Sequence, residues 1–206
     1  MKTKAIILSA LVLGLFAVQS RAATDEFTPR SDGFIRDWLL LAPIQLAADA
    51  DSAEAVEKNQ IPDEGLLKPK AGDKVTVRGK EFTWKKVKAT DYFLDLNAIC
   101  NAETEKTVAY AVAYIKADEE QKNLKLKMGS NDEGKVFLNG KLLLKATEPR
   151  ALDQDSDTAR DVTLNKGINV VVFKIINEGG SDWQGCLRFT DASDKPVTKI
   201  GIRLEP

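Results

Sequence analysis

The residue types in this chain restrict the chemistry that it could perform. Its 206 residues include no histidine, so nucleophilic catalysis by Ser-His-Asp or Cys-His systems and metal binding by imidazole are excluded. Carboxylate chemistry, a Ser-Lys pair or a metal held by oxygen ligands would remain, and each needs a constellation that spacing alone does not show. The composition therefore favours a binding or structural role over catalysis.

Three aspartates at alternate positions, Asp153, Asp155 and Asp157, form one candidate site. Calcium prefers oxygen ligands of this kind, so the segment could hold a structural calcium ion as its cofactor. It is not an EF-hand loop, because Thr158 and Leu164 stand where that pattern needs Gly and Glu. The alternative is a solvent-exposed acidic loop that binds no cofactor.

Trp183 lies in a glycine-rich loop between two predicted strands, flanked by Asp182 and Gln184. An exposed indole ring can stack on the face of a sugar, and polar neighbours can bind its hydroxyl groups. We therefore predict ligand binding by Trp183, Asp182 and Gln184, with Tyr92 as a further aromatic candidate. The alternative is that the Trp183 ring folds inward and closes one end of the core.

Asp132 and Glu133, together with Asn139, cluster around one predicted hairpin. A glycoside hydrolase would need two carboxyl groups about 5 to 9.5 Å apart across a cleft. The alternative is a structural role for these residues in the hairpin.

The N-terminal residues predict export. Lys2 and Lys4 precede an apolar run over 5–18 and a small-residue end, which is typical of a signal peptide over 1–22. The formal net charge is −1, and removal of this basic leader would make the chain more acidic, which disfavours a nucleic-acid partner. No second apolar run reaches the roughly 20 residues that cross a bilayer, so we expect a secreted or periplasmic protein without a transmembrane anchor.

Two cysteines, Cys100 and Cys186, remain beyond the predicted leader. An even number of cysteines in an exported chain predicts one disulfide. The alternative is that they are two unpaired, small apolar side chains.

One short helix is predicted, at the periphery of the fold. Asp51 with Glu54 three residues later approximates a capping box, and the helix stops at Ile61-Pro62. Before it, 37–42 reads as a buried strand that ends at Pro43. Residues 23–33 are polar and turn-rich, which predicts a flexible lead-in to a single domain over 34–206.

After Pro69 the pattern changes to short strands between turn signals. Arg78-Gly79-Lys80 and Asn139-Gly140-Lys141 each separate apolar runs and predict hairpins. Residues 107–115 are apolar on both faces, which indicates a central strand covered on both sides. About nine or ten such strands with one helix predict an all-β antiparallel sandwich.

Residues 129–141 resemble the "S-x-D-G-x-x-V-x-x-N-G" hairpin of galactose-binding-like jelly-roll domains. These domains occur in secreted bacterial proteins, include modules attached to glycoside hydrolases, and are similar to PA14 modules. The opening segment 38–43 resembles their "W-x-L-L-G-P", and 164–169 resembles their closing half. The resemblance covers about 34–190 and implies a jelly roll, with carbohydrate binding as a weaker implication. In the resembling domains the positions of Asp132, Glu133 and Asn139 shape a turn, where Asp and Asn bond nearby backbone groups, so the resemblance favours a structural role for them.

These observations together predict a secreted, non-catalytic module that binds a polysaccharide or glycan through loop aromatic and polar residues. The alternative is a protein-interaction or cell-envelope structural domain, whose partner would be another secreted or envelope protein. A carboxylate-dependent hydrolase is a third hypothesis. A concave face with an exposed ring would support the first hypothesis, and an exposed apolar patch would support the second.

Overall fold

The computed structural model describes residues 25–180 and 182–206, so the predicted signal peptide lies outside the described residues. Strands in chain order are β1 (Glu26–Phe27), β2 (Asp37–Gln45), β3 (Lys74–Val77), β4 (Lys80–Thr83), β5 (Lys85–Lys88), β6 (Leu94–Asp95), β7 (Thr107–Ala117), β8 (Gln121–Asn131), β9 (Gly134–Leu138), β10 (Lys141–Ala146), β11 (Asp157–Leu164), β12 (Gly167–Asn177), β13 (Gln184–Thr190) and β14 (Gly201–Arg203). The helices are α1 (Ser52–Glu57), α2 (Leu96–Cys100) and a 3₁₀-helix over Glu64–Leu66. None of the described helices is both long and apolar enough to cross a membrane.

Two antiparallel sheets pack face to face, which confirms the predicted β-sandwich. The first sheet has the order β1-β14-β7-β12-β9-β10, and β2 and β5 join it beside β7. The second sheet has the order β11-β8-β13-β6, and β3 pairs with β4 in a separate hairpin. A large apolar cluster fills the space between the two sheets.

The central strand β7 is covered on both faces, as its sequence predicts. Ala109, Ala111 and Ala113 face the cluster between the sheets. Tyr110 and Tyr114 face a second apolar cluster, on the outer side of the first sheet. Residues 46–73, called the strap below, cover that outer side with α1 and the 3₁₀-helix.

The predicted helix cap and the Asn-Gly hairpin are both confirmed. The Asp51 carboxylate accepts a hydrogen bond from the Glu54 N–H at 2.9 Å, at the N-terminus of α1. Asn139 and Gly140 have φ angles of 52° and 83°, the left-handed pair that joins β9 to β10 in a two-residue turn.

Three local expectations were wrong. A second helix, α2, follows Asp95, whose carboxylate accepts from the Ala98 N–H; its five residues are too few to produce a helical apolar period. Strand β2 continues past Pro43 to Gln45, because a register shift between Leu41 and Ile44 accommodates the proline. The described part of the predicted flexible lead-in includes β1, which pairs with β14.

Candidate functional site

The Trp183 side chain is fully buried, with 0 % exposure. It belongs to the cluster between the sheets, together with Leu187 and Phe189. A Cβ at Gly185 would touch Ile175 and Phe173 of the first sheet, so alternate residues from 183 onward face the core. The expectation that the Trp183 ring stacks on a surface ligand is therefore wrong. The alternation of inward and outward side chains along β13 already applies to Trp183, one residue before the strand begins, and it directs the ring into the core.

The other predicted ligand residues lie at or near the edge strand β6 of the second sheet. Gln184 is half-buried and pairs with Asp95 of β6, and Tyr92 lies three residues before Asp95. Asp182 is exposed next to them in sequence. The structure thus places Gln184 and Tyr92 at the same sheet edge, without Trp183.

A cleft of about 370 Å³ opens beside this edge. Its lining includes Lys88, Thr90, Asp91, Phe93, Asp95 and Ile99. Phe93 is partly exposed, so part of an aromatic ring faces a concave surface. Phe93 was not predicted from the sequence, although it lies beside the candidate Tyr92 and before an apolar strand residue.

Aromatic contacts hold Phe93 in place from behind. The Phe93 and Tyr92 rings meet edge to face, with centroids 5.0 Å apart. Tyr92 in turn packs against the buried Phe34 ring at 5.2 Å, and the Arg188 guanidinium lies over Phe34 at 4.6 Å. Such contacts restrict the orientation of the Phe93 ring before any ligand binds.

Two carboxylates and one ammonium group supply the polar part of the cleft. Oδ1 of Asp91 accepts from the Tyr92 N–H at 2.6 Å, and Oδ1 of Asp95 accepts from the Ala98 N–H at 3.0 Å. Each carboxylate thereby has a fixed position while a second oxygen can accept from a ligand. Lys88 also lines the cleft, and its ammonium group pairs with Asp37 at 3.3 Å.

The three alternate aspartates do not fit a calcium site. Asp155 pairs with Arg188 and with Lys127, and Asp157 pairs with Arg150. Within 25–180 and 182–206, no group of three or more Cys, Asp or Glu side chains is placed to hold a metal ion. Two of the three carboxylates that were proposed as ligands, those of Asp155 and Asp157, are therefore paired with cations of the chain itself.

Cys100 and Cys186 are both free thiols, so the predicted disulfide is not formed. Cys100 ends α2 and packs against the cluster between the sheets. Cys186 lies on β13 between Gly185 and Leu187, both of which face that cluster. The sulfur of Cys186 is near Gly129 of β8. Burial raises the pKa of Cys186 to about 12, which keeps this thiol protonated.

Asp132 and Glu133 are buried and are not part of the cleft. Oε1 of Glu133 accepts from the Ser52 hydroxyl of α1 at 2.6 Å, and Oε2 has no hydrogen-bond partner. Oδ2 of Asp132 accepts from the Glu178 N–H at 2.8 Å. Burial raises the pKa of both carboxyl groups.

The third member of that group, Asn139, bridges the hairpin and β12. Its Oδ1 accepts from the Val170 N–H, and its Nδ2 donates to Asn169. These contacts connect the turn to the neighbouring strand. They agree with the structural role that the sequence favours for this group.

A buried charge cluster under the strap was not predicted from the sequence. Tyr110, Lys174 and Lys135 lie side by side across β7, β12 and β9. Glu64 of the 3₁₀-helix accepts from all three, at 2.6 Å from Tyr110, 3.1 Å from Lys174 and 3.0 Å from Lys135. The signal in the sequence is a lysine in the middle of an otherwise apolar strand, at Lys174.

No protein-family model matches this sequence, and no curated protein matches it. Among solved structures, the fold is similar to the PA14 domain of the antifreeze protein MpAFP, with 12 % identity and a TM-score of 0.39 over 89 % of this chain and 93 % of that one. It is also similar to the GH31 alpha-xylosidase from Xanthomonas citri, with 11 % identity and a TM-score of 0.35 over 86 % of this chain and 18 % of that one. Both TM-scores are below 0.5, so neither likeness bears on function.

Proposed function

We propose that this chain is an exported, non-catalytic module that binds a glycan in the cleft beside β6. The observation that carries the proposal is the presence of a partly exposed ring, Phe93, between two positioned carboxylates, Asp91 and Asp95. A sugar ring has an apolar face that packs on an aromatic side chain. Its hydroxyl groups donate well to carboxylate oxygens.

The size of the cleft suits a small part of a glycan chain. Ligand sites for small molecules usually occupy about 300–1,000 Å³, and this cleft has about 370 Å³. The Phe93 ring is held by Tyr92 and both carboxylates by backbone N–H groups, so little order must be gained on binding.

Binding is favoured over catalysis by the placement of the acidic groups. The adjacent pair Asp132 and Glu133 is buried, so a substrate would have no access to it.

The test is retention of the purified chain on a panel of immobilised polysaccharides, followed by titration with the one that retains it best. Phe93→Ala should weaken binding to that polysaccharide by about tenfold or more, the scale on which removal of a stacked anchor acts. Asp95→Asn keeps a competent N-cap but removes the charge, so it should weaken binding while the melting temperature stays close to that of the parent chain.

Phe82→Ala is the matched control, because Phe82 is also a partly buried phenylalanine, on β4 away from the cleft. This variant should bind the polysaccharide as the parent does. Retention on no polysaccharide, or equal losses in Phe93→Ala and Phe82→Ala, would reject the proposal.

A further inference from the structure

Four cations gather at one end of the sandwich without any carboxylate partner. Lys68, Lys141, Arg160 and Lys166 are exposed, and none forms an ion pair with a described residue. Some lysines elsewhere are paired, as where Lys125 and Lys127 share Asp194; what distinguishes these four cations is that they lie near one hairpin end. An unpaired basic group is notable in a chain whose formal net charge is −1.

Three of these cations line two hollows that share Asn139 in their walls. Lys68, Leu66 and Ile168 line a depression of about 150 Å³, and Asn139 lines it too. On the other side of the same turn, Lys141 and Arg160 line a cleft of about 320 Å³, again with Asn139. Lys166 does not line either hollow. It directly follows Asn165, which lines the cleft, and lies two residues before Ile168, which lines the depression.

The same end carries exposed apolar side chains. Among the described residues, the large hydrophobic side chains that are exposed are Leu66 (63 %), Leu142 (42 %) and Ile168 (38 %). Leu142 pairs with Phe137, whose ring lies under Gly65, so Leu142 shares a face with the depression. A single exposed leucine needs no explanation, but Leu66 and Ile168 line the same depression, and adjoining exposed apolar side chains mark an interaction surface.

We propose that this hairpin-end surface, formed by Leu66, Lys68, Lys141, Arg160, Lys166 and Ile168, binds an acidic segment of another protein that carries apolar side chains. The hollows would take the apolar groups, and the four cations would attract the acidic ones. Asp161 also lines the cleft, and it is the one acidic residue among the side chains that line the two hollows. The four cations therefore outnumber the carboxylates, and the surface is positively charged.

Charge and shape favour this occupant over others. A second copy of the chain would bring like charges together across a two-fold contact. No aromatic ring lines either hollow, which disfavours a sugar. A lipid surface suits a convex apolar ridge, whereas these apolar groups border concave hollows.

The surface lies away from the proposed glycan cleft. Arg160 belongs to β11 and Asp95 to β6, and these strands are the opposite edges of the second sheet. Both ligands could therefore bind at the same time.

The experiment selects binders for the full chain from a displayed library of random peptides. Selected peptides should be enriched in Asp or Glu together with large apolar residues, and their binding should weaken as salt is raised. For a synthetic peptide of the selected sequence, Lys141→Glu and Arg160→Glu should each raise Kd by about tenfold. Leu66→Ser should also weaken binding, through loss of an apolar anchor.

Lys80→Glu is the matched control, because Lys80, like Lys141, is exposed and begins a strand directly after a left-handed glycine. It should leave Kd unchanged. Selected peptides without acidic enrichment, or equal effects of Lys80→Glu and Lys141→Glu, would overturn the proposal. So would binding to phosphatidylglycerol vesicles or to polygalacturonate that depends on Lys141 and is tighter than peptide binding, since the partner would then be a membrane or an anionic polysaccharide.

Discussion

Trp183 stabilises the sandwich by burial, while its polar atom weakens that contribution. The ring is completely removed from solvent between the sheets. Its Nε1–H has no hydrogen-bond partner among the described residues. An unsatisfied buried donor costs about 1–3 kcal/mol, so the net contribution of the residue is smaller than its apolar area alone would give.

Trp183→Ala should lower the free energy of unfolding by about 3–5 kcal/mol, because it opens a large cavity in the core. Trp183→Phe should cost clearly less, since it fills much of that space and removes the unpaired donor. Urea denaturation followed by circular dichroism measures both changes. An alanine variant as stable as the parent would show that the ring does not support the core.

At the scale of secondary-structure elements, α1 is held at both of its ends. Asp51 caps the first turn, and Ser52 bonds the buried Glu133. At the other end, the Lys174 ammonium donates to the carbonyls of Val56 and Lys58 at 3.1 and 2.7 Å. A cation at the C-terminus of a helix is favourable, because the last carbonyls lack partners there.

Asp51→Ala should lower the free energy of unfolding by about 1 kcal/mol, as expected for loss of an N-cap. Asp51→Asn should be nearly neutral, because the amide oxygen can accept the same hydrogen bond. Asp49→Ala provides the control, since Asp49 is an exposed acidic residue of the same strap without a capping role. Thermal unfolding compares the three variants, and equal losses for Asp51→Ala and Asp49→Ala would contradict the cap.

At the scale of the whole molecule, the charge cluster attaches the strap to the first sheet. Glu64 is the strap's contribution, and Tyr110, Lys135 and Lys174 are the sheet's. Lys174 is fully buried. Burial lowers its pKa from 10.5 to about 8, although Glu64 acts in the opposite direction.

This shift sets the sign of a pH effect on stability. Between pH 8 and 10.5 the unfolded chain still carries the Lys174 proton, whereas the folded chain has released it. The unfolded state then binds more protons, so the contribution of Lys174 to stability increases with pH in that window.

The corresponding measurement compares the parent chain with Lys174→Met, a variant that removes the titrating group but keeps an unbranched side chain. The free energy of unfolding of the parent, relative to that of the variant, should increase as the pH rises from about 8 towards 10.5. Denaturant titrations at several pH values provide the curves. A constant difference, or one that decreases over this window, would contradict the assignment.

Features that arise between residues close together in the chain could be predicted from the sequence. The left-handed pair Asn139-Gly140 forms its turn because the two residues tolerate positive φ. Asp51 caps α1 by accepting from the N–H of Glu54, three residues later. Strand β7 is apolar on both faces, which requires cover on both sides. From these signals the antiparallel sandwich could be predicted.

Other features required the tertiary structure, because the contacts that decide them join residues far apart in the chain. Glu64 meets Lys174 only after the strap folds over the sheet, and Asp155 meets Arg188 only when the loop packs on β13. The same applies to Trp183. The sequence allowed its ring to face solvent or the core, and packing of the first sheet against β13 places it in the core. The cleft at Phe93 also depends on tertiary structure, since it forms where β6 and α2 lie beside each other.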